Sequence, residues 1–232
     1  KNGNLNAINV VDDLQSIVRA FPEALFSKKL IVCEGNTEYG ICNALDEILF
    51  QKQNIPMFLY GCIPIKAGGG SNIFKYSKEL RKLNFSVLAF CDTDVDTDND
   101  KKEELKMLGV KVCDCEEGNC IEKQLFKDLP FEAVIQLIEY TIKNKFQTET
   151  SFINTMNSKY HIADFTNWRT LDNSDVRAAY GNEAASQSWY KSETGGRKLG
   201  EIISAQINNI NSKSHLKKQL NILTNWVTSE VE

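Results

Sequence analysis

The segment Ser86-Val87-Leu88-Ala89-Phe90-Cys91-Asp92 constrains the fold more than any other part of the chain. An unbroken apolar run that ends at once in a carboxylate describes a strand buried on both faces, with its polar end emerging at the rim of a core. Leu30-Ile31-Val32-Cys33 is a second run of this kind and stops as abruptly, at Glu34-Gly35-Asn36-Thr37-Glu38. Helical spacing follows, with Ile41, Leu45, Ile48 and Leu49 on one face. Residues 57–65 read as strand, interrupted by Gly61 and Pro64, and close in Gly68-Gly69-Gly70-Ser71-Asn72 before a helical stretch over 73–83. A short charged helix is expected over about 101–108, broken by Gly109, with another strand at 110–113. An amphipathic helix over 8–20, stopped by Pro22, precedes all of this. Strand–helix alternation with apolar strands predicts an α/β fold, a parallel sheet flanked by helices on both faces.

Beyond Ile121 the pattern turns helical, over about 131–145, 198–210 and 215–227, around a polar stretch at 147–187 with weak periodicity. The expected organisation is therefore an N-terminal helix in 1–24 leading from an upstream part, an α/β core in 25–130, and a helical annex in 131–232 that completes the domain. Lys1-Asn2-Gly3-Asn4 carries neither an initiator Met nor a signal-peptide core, as expected of a piece of a longer polypeptide. No apolar run approaches the roughly 18 to 20 residues of a membrane span. Seven cysteines, several inside apolar runs, are expected to be reduced, which points to the cytoplasm. A net charge of −4 argues against a surface that grips nucleic acid everywhere, but clustered carboxylates at a metal site lower the total in the same way.

Sites in open α/β sheets form at the carboxyl ends of the strands, and three such ends carry acids. Glu34, with Glu38 four residues on, follows the first strand; Asp92 and Asp94 follow the third; Glu122 opens a helix after the fourth. Carboxylates gathered in one place repel one another unless a cation holds them, and hard oxygen ligands select Mg²⁺, Mn²⁺ or Ca²⁺. Glu38 and Glu122 also suit plain helix capping, as single acids at helix starts do. Asp92, Asp94, Asp96, Asp98, Asp100 and Glu103 match the spacing of an EF-hand loop, but Thr97 stands where glycine is required and a strand precedes the loop. Gly68-Gly69-Gly70-Ser71 lacks the Lys-Ser/Thr of a P-loop and reads as a turn able to offer backbone N–H groups to phosphate. Cys113, Cys115 and Cys120 fit no common zinc spacing, and His161 and His215 lie in no motif.

In order along the chain, Leu25-Phe26-Ser27-Lys28-Lys29-Leu30-Ile31-Val32-Cys33-Glu34-Gly35-Asn36-Thr37-Glu38, Gly68-Gly69-Gly70, Phe90-Cys91-Asp92-Thr93-Asp94 and Gly118-Asn119-Cys120-Ile121-Glu122-Lys123-Gln124-Leu125-Phe126 resemble the Toprim domain of nucleases of the OLD (overcoming lysogenization defect) family. The resemblance reaches Gly195-Gly196-Arg197-Lys198-Leu199-Gly200 more loosely. Gabija nucleases share the layout, in which an ABC-type ATPase precedes the Toprim domain and the whole defends against phage. The resemblance implies endonucleolytic cleavage of DNA with Mg²⁺ or Mn²⁺ at a two-metal site. Asp92 would lie between the ions, Glu34 and Glu38 on one and Asp94 on the other, with Glu122 holding a metal directly or through water. Lys198 would neutralise the phosphate, with Lys191 and Arg197 as competitors. An ATPase domain or subunit and a second copy of the chain are the implied partners beside DNA. A nuclease acting on RNA, and a non-cleaving module that binds nucleic acid or an ATPase, stay open as alternatives.

Overall fold

The computed structural model describes residues 15, 17, 19–92 and 99–230. Four strands form one parallel sheet: β1 (Lys29–Cys33), β2 (Cys62–Lys66), β3 (Ser86–Cys91) and β4 (Lys111–Asp114), in the order β2-β1-β3-β4. Nine α-helices among the described residues connect and cover them: α1 (Asn36–Gln53), α2 (Asn72–Lys82), α3 (Asn99–Met107), α4 (Ile121–Asp128), α5 (Phe131–Thr141), α6 (Glu149–Lys159), α7 (Ser174–Ser186), α8 (Glu193–Ala205) and α9 (His215–Thr228).

Period-two alternation sorts the strands between two cores. Ile31, Cys33, Leu88, Phe90 and Cys113 face α1 and the helices from α4 onward. Leu30, Val32, Val87, Ala89 and Cys91 face the other way, toward Ile73, Phe74 and Leu80 of α2 and Leu105 of α3. Both central strands are thus buried on both sides, which is why their sequences are continuous rather than alternating. Register aligns Cys33 with Lys66 on one side and Phe90 on the other, and Cys91 with Asp114. All four carboxyl ends therefore open on one edge. The chain runs from β1 outward to β2 and then returns to β3 on β1's other side, so the strand order reverses between β1 and β3, where Glu34 and Asp92 emerge.

Lys29, at the start of β1, is 2% exposed and spends its charge on the end of the last helix. Its Nζ donates to the carbonyls of Trp226 (3.1 Å), Val227 (2.5 Å) and Ser229 (2.6 Å). A cation on the last turn satisfies carbonyls that lack intrahelical partners and complements the helix dipole. The C-terminal helix is thereby tied to the first strand.

Several elements depart from the sequence reading. The polar stretch at 147–187 contains α6, a 3₁₀ segment Phe165–Thr170 and α7, and it delivers Phe152, Phe165, Trp168 and Tyr180, all fully buried. The strand expected over 57–65 is a 3₁₀ turn, Met57–Tyr60, then β2 from Cys62, because Gly61 takes a left-handed φ of 66° between them. Helix α8 begins at Glu193, not 198, with the Ser192 hydroxyl accepting from Gly195 N at 3.0 Å. Of the helix expected over 8–20, only residues 15, 17, 19 and 20 lie within the described part, and they are helical. All seven cysteines are free and buried.

Candidate metal and phosphate site

At the reversal between β1 and β3 a cavity of about 850 Å³ opens, and Glu34, Glu38, Asp92 and Glu122 all line it. Each carboxylate has a local reason for its place. Glu34 follows β1, its own N–H bonded to Phe90 O (3.0 Å), and its Oε2 accepts from Asp92 N at 3.2 Å. Asp92 Oδ1 accepts from Ile121 N (2.8 Å), so the carboxylate ending β3 also caps α4. Glu38 reaches back to accept from Gly35 N at 2.9 Å, closing the first turn of α1. Glu122, in the first turn of α4, is 0% exposed. Thr37 donates to its Oε1 (3.5 Å), whereas its Oε2 is buried without a hydrogen-bond partner among the described residues.

Glu38 feels both its burial and its acidic neighbours. Burial, and the charges of Glu122 and Glu34, push the Glu38 carboxyl up to about 7, against the opposing pull of backbone N–H groups. Its folded value thus lies above the ordinary 4.5, so ionising Glu38 destabilises the folded state. That contribution is absent below about pH 4.5, where both states are protonated, grows as pH rises, and levels off above about 7. In chelator, the melting temperature of the wild-type protein is expected to fall more steeply between pH 5 and 7.5 than that of Glu38→Gln, which keeps the acceptor for Gly35 N. Parallel melting curves for the two proteins would refute this.

The same cavity is also lined by cations and open backbone. Lys66, the last residue of β2, lies 3.2 Å from Glu193 Oε2 and 3.4 Å from Asn36 Oδ1, with its ammonium 5.0 Å from the Tyr39 ring centre. Lys191 also lines the cavity, and its carbonyl accepts from Asn36 Nδ2 at 3.2 Å. Gly68, Gly69 and Gly70 form the floor at φ of 83°, 93° and 58°, a left-handed run that side chains resist. Gly69 N bonds to Glu34 O at 2.7 Å, tying this turn to the end of β1.

Other residues singled out in the sequence fall elsewhere. Lys198 does not line the cavity; its Nζ pairs with Glu201 at 3.0 Å, and Arg197 pairs with Glu47 at 2.5 Å. Asp94, Asp96 and Asp98 lie outside the described residues. The segment before the aspartates is strand β3, not the helix an EF-hand requires. Lys66 was not singled out, although its place at a strand's carboxyl end, just before Ala67-Gly68, was a usable signal.

Among the described residues no three His, Cys, Asp or Glu side chains already converge as a metal-binding group. Several carboxylate oxygens are turned onto backbone N–H groups instead. The donor set still suits a hard divalent cation, since four carboxylates line the cavity and buried Glu122 Oε2 has no hydrogen-bond partner among the described residues.

Residues 25–94 match the model of the family described as overcoming lysogenization defect protein-like, TOPRIM domain. Two solved structures of the C-terminal region of the Xanthomonas campestris pv. campestris OLD protein are similar in fold. The one phased with platinum has a TM-score of 0.52 at 16% identity, over 88% of this chain and 96% of that one. The one phased with mercury has a TM-score of 0.51 at 16% identity, over 87% and 97%. No curated protein matches the chain.

Proposed function

For a chain carrying an OLD-type Toprim domain, we propose divalent-metal-dependent hydrolysis of nucleic-acid phosphodiester bonds, with DNA as the substrate. The observation that carries this reading is that Glu34, Glu38, Asp92 and Glu122, from three separate segments, all line one cavity at the β1/β3 reversal. Burial and the charges of Glu122 and Glu34 push the Glu38 carboxyl up, and the buried Glu122 Oε2 has no hydrogen-bond partner among the described residues, costs that a bound cation removes.

In this reading Glu34 and Asp92 are the central ligands, joined by Glu38 and Glu122, with Asp94 as the further ligand that the resemblance implies. A divalent cation held by these carboxylates would supply a water of lowered pKa and counter-charge for the departing oxygen. The remaining work belongs to the chain itself. Lys66 and Lys191 line the same cavity as the acids, so a phosphate entering it meets positive charge. Lys198, the cation implied by the resemblance, is not among the cavity-lining residues and pairs with Glu201, so in this reading the phosphate-facing role falls to Lys66 and Lys191, which do line it. The Gly68–Gly70 turn keeps the floor free of side chains, so a backbone phosphate can approach closely. Glu193 holds Lys66 in place through its ion pair.

We further read the chain as the nuclease part of an ATPase-linked defence system, working in the cytoplasm and as an oligomer. No helix among the described residues is long and apolar enough to cross a membrane. Incubation of plasmid DNA and of RNA with the purified protein, across Mg²⁺, Mn²⁺, Ca²⁺ and chelator, tests the central reading. Metal-dependent cutting of DNA is expected. Cutting of RNA alone would change the substrate, and Mn²⁺ binding without any cutting would leave a nucleic-acid-binding module.

A further inference from the structure

Helix α3 carries a charged residue on its buried face. Lys102, one turn before the fully buried Leu105, is itself 3% exposed. A lysine in that position is rare unless a partner holds its charge. Its Nζ donates to the main-chain carbonyl of Asp92 at 2.7 Å and lies 3.7 Å from Asp114 Oδ2. Asp114 ends β4 and stands in register with Cys91, the residue before Asp92. One ammonium therefore bridges the carboxyl ends of two adjacent strands, immediately behind the acid cluster.

The consequences run through the Asp92 peptide. Its carboxylate is fixed from one side by Ile121 N, and its N–H is fixed by Glu34 Oε2. The Lys102 bond adds the carbonyl, so N–H, C=O and side chain are each held by a different element. A peptide fixed at all three points keeps its side-chain direction when the carboxylate exchanges a backbone partner for a cation. Neutralising Asp114 alone would not need the shorter bond to the Asp92 carbonyl. On the far side, the Asp114 carbonyl lies 2.8 Å from His215 Nε2 and accepts from Gln219 Nε2 at 2.8 Å, so the β4 end is anchored independently of Lys102.

We propose that Lys102 is a positioning residue of the Asp92 site: from α3, its ammonium holds the Asp92 peptide so that the carboxylate meets a divalent cation in a fixed direction. The inference rests on the metal-dependent reading above, and calorimetric Mn²⁺ binding separates the two. If the wild-type protein binds no Mn²⁺, the functional reading has failed, and this one with it. If the wild-type binds, Lys102→Met is expected to weaken Mn²⁺ at least tenfold and to lower kcat about a hundredfold, with KM for DNA within about twofold. Lys102→Arg, which keeps charge and donors, is expected to restore part of both. Asp114→Asn, which removes the ion pair but leaves the bond to the Asp92 carbonyl, is expected to change Mn²⁺ affinity less than threefold. Should Lys102→Met not fold, Lys102→Gln, which removes the ammonium but keeps a polar side chain, takes its place. Equal Mn²⁺ affinity in wild-type and in the charge-removing variant (Lys102→Met, or Lys102→Gln when Lys102→Met does not fold) would overturn the proposal. Loss in Asp114→Asn as large as in that charge-removing variant would also overturn it, since the bond to the Asp92 carbonyl would then add nothing to the ion pair.

Discussion

Asp92→Asn is expected to leave the protein folded and to stop cleavage, lowering kcat by on the order of 10³ or more. Asparagine is the informative replacement because Asp92 has two jobs. Its Oδ1 accepts from Ile121 N and so caps α4, and an amide oxygen can continue to do that. What the amide lacks is the negative charge that a divalent cation requires. Melting temperature should therefore stay close to wild-type in chelator, while the stabilisation that Mn²⁺ gives the wild-type protein by binding should largely disappear. Asp92→Ala would remove both functions, and its loss of activity would be harder to assign. A wild-type rate from Asp92→Asn with Mn²⁺ would sink the proposed chemistry.

The second large effect is at a helix contact behind the site. Helices α1 and α8 approach so closely that a Cβ on Gly40 would lie 2.0 Å from the Gly196 carbonyl carbon and 2.3 Å from Arg197 N. From the other side, a Cβ on Gly196 would lie 2.3 Å from Asn36 O, and one on Gly200 would lie 2.3 Å from Ala44 Cβ. The obstructing atoms are mostly backbone, so no rotamer change can relieve the clash and the helices must separate. Gly40→Ala is expected to cost about 3 kcal/mol, near the upper end of ordinary overpacking. For a chain of this length that corresponds to a loss of about 10 °C in melting temperature. Activity is also expected to fall, because separating the helices moves Glu193, which opens α8, away from Lys66 across the cavity. Thermal denaturation of Gly40→Ala within a degree or two of wild-type would show that the contact is looser than described.

The glycines show where the sequence stops being readable. In Gly195-Gly196-Arg197-Lys198-Leu199-Gly200 the motif was visible, but its reason was not: Gly196 and Gly200, four residues apart, present the bare face on which α1 rests. Gly68, Gly69 and Gly70 look similar on paper and have a different cause. A Cβ there meets nothing within 4 Å, and it is the positive φ that favours glycine. The aromatic residues of α6, α7 and the 3₁₀ segment between them gave no periodic signal either. Phe152, Trp168 and Tyr180 are widely spaced in a polar stretch, and they are buried only because they meet one another and Trp189, Tyr190 and Phe126 across the fold.

The sequence by itself determined the central strands and the acids at their ends. Continuous apolar runs and the carboxylates that terminate them are local patterns, and a strand buried on both faces imposes them residue by residue. The parallel order β2-β1-β3-β4, and with it the opening between Glu34 and Asp92, depended on connections spanning the whole core. Only the tertiary structure brought Lys66 and Lys191 into the cavity that those acids line and left Lys198 outside it, because residues 125 positions apart in the chain share a cavity through packing rather than through sequence spacing.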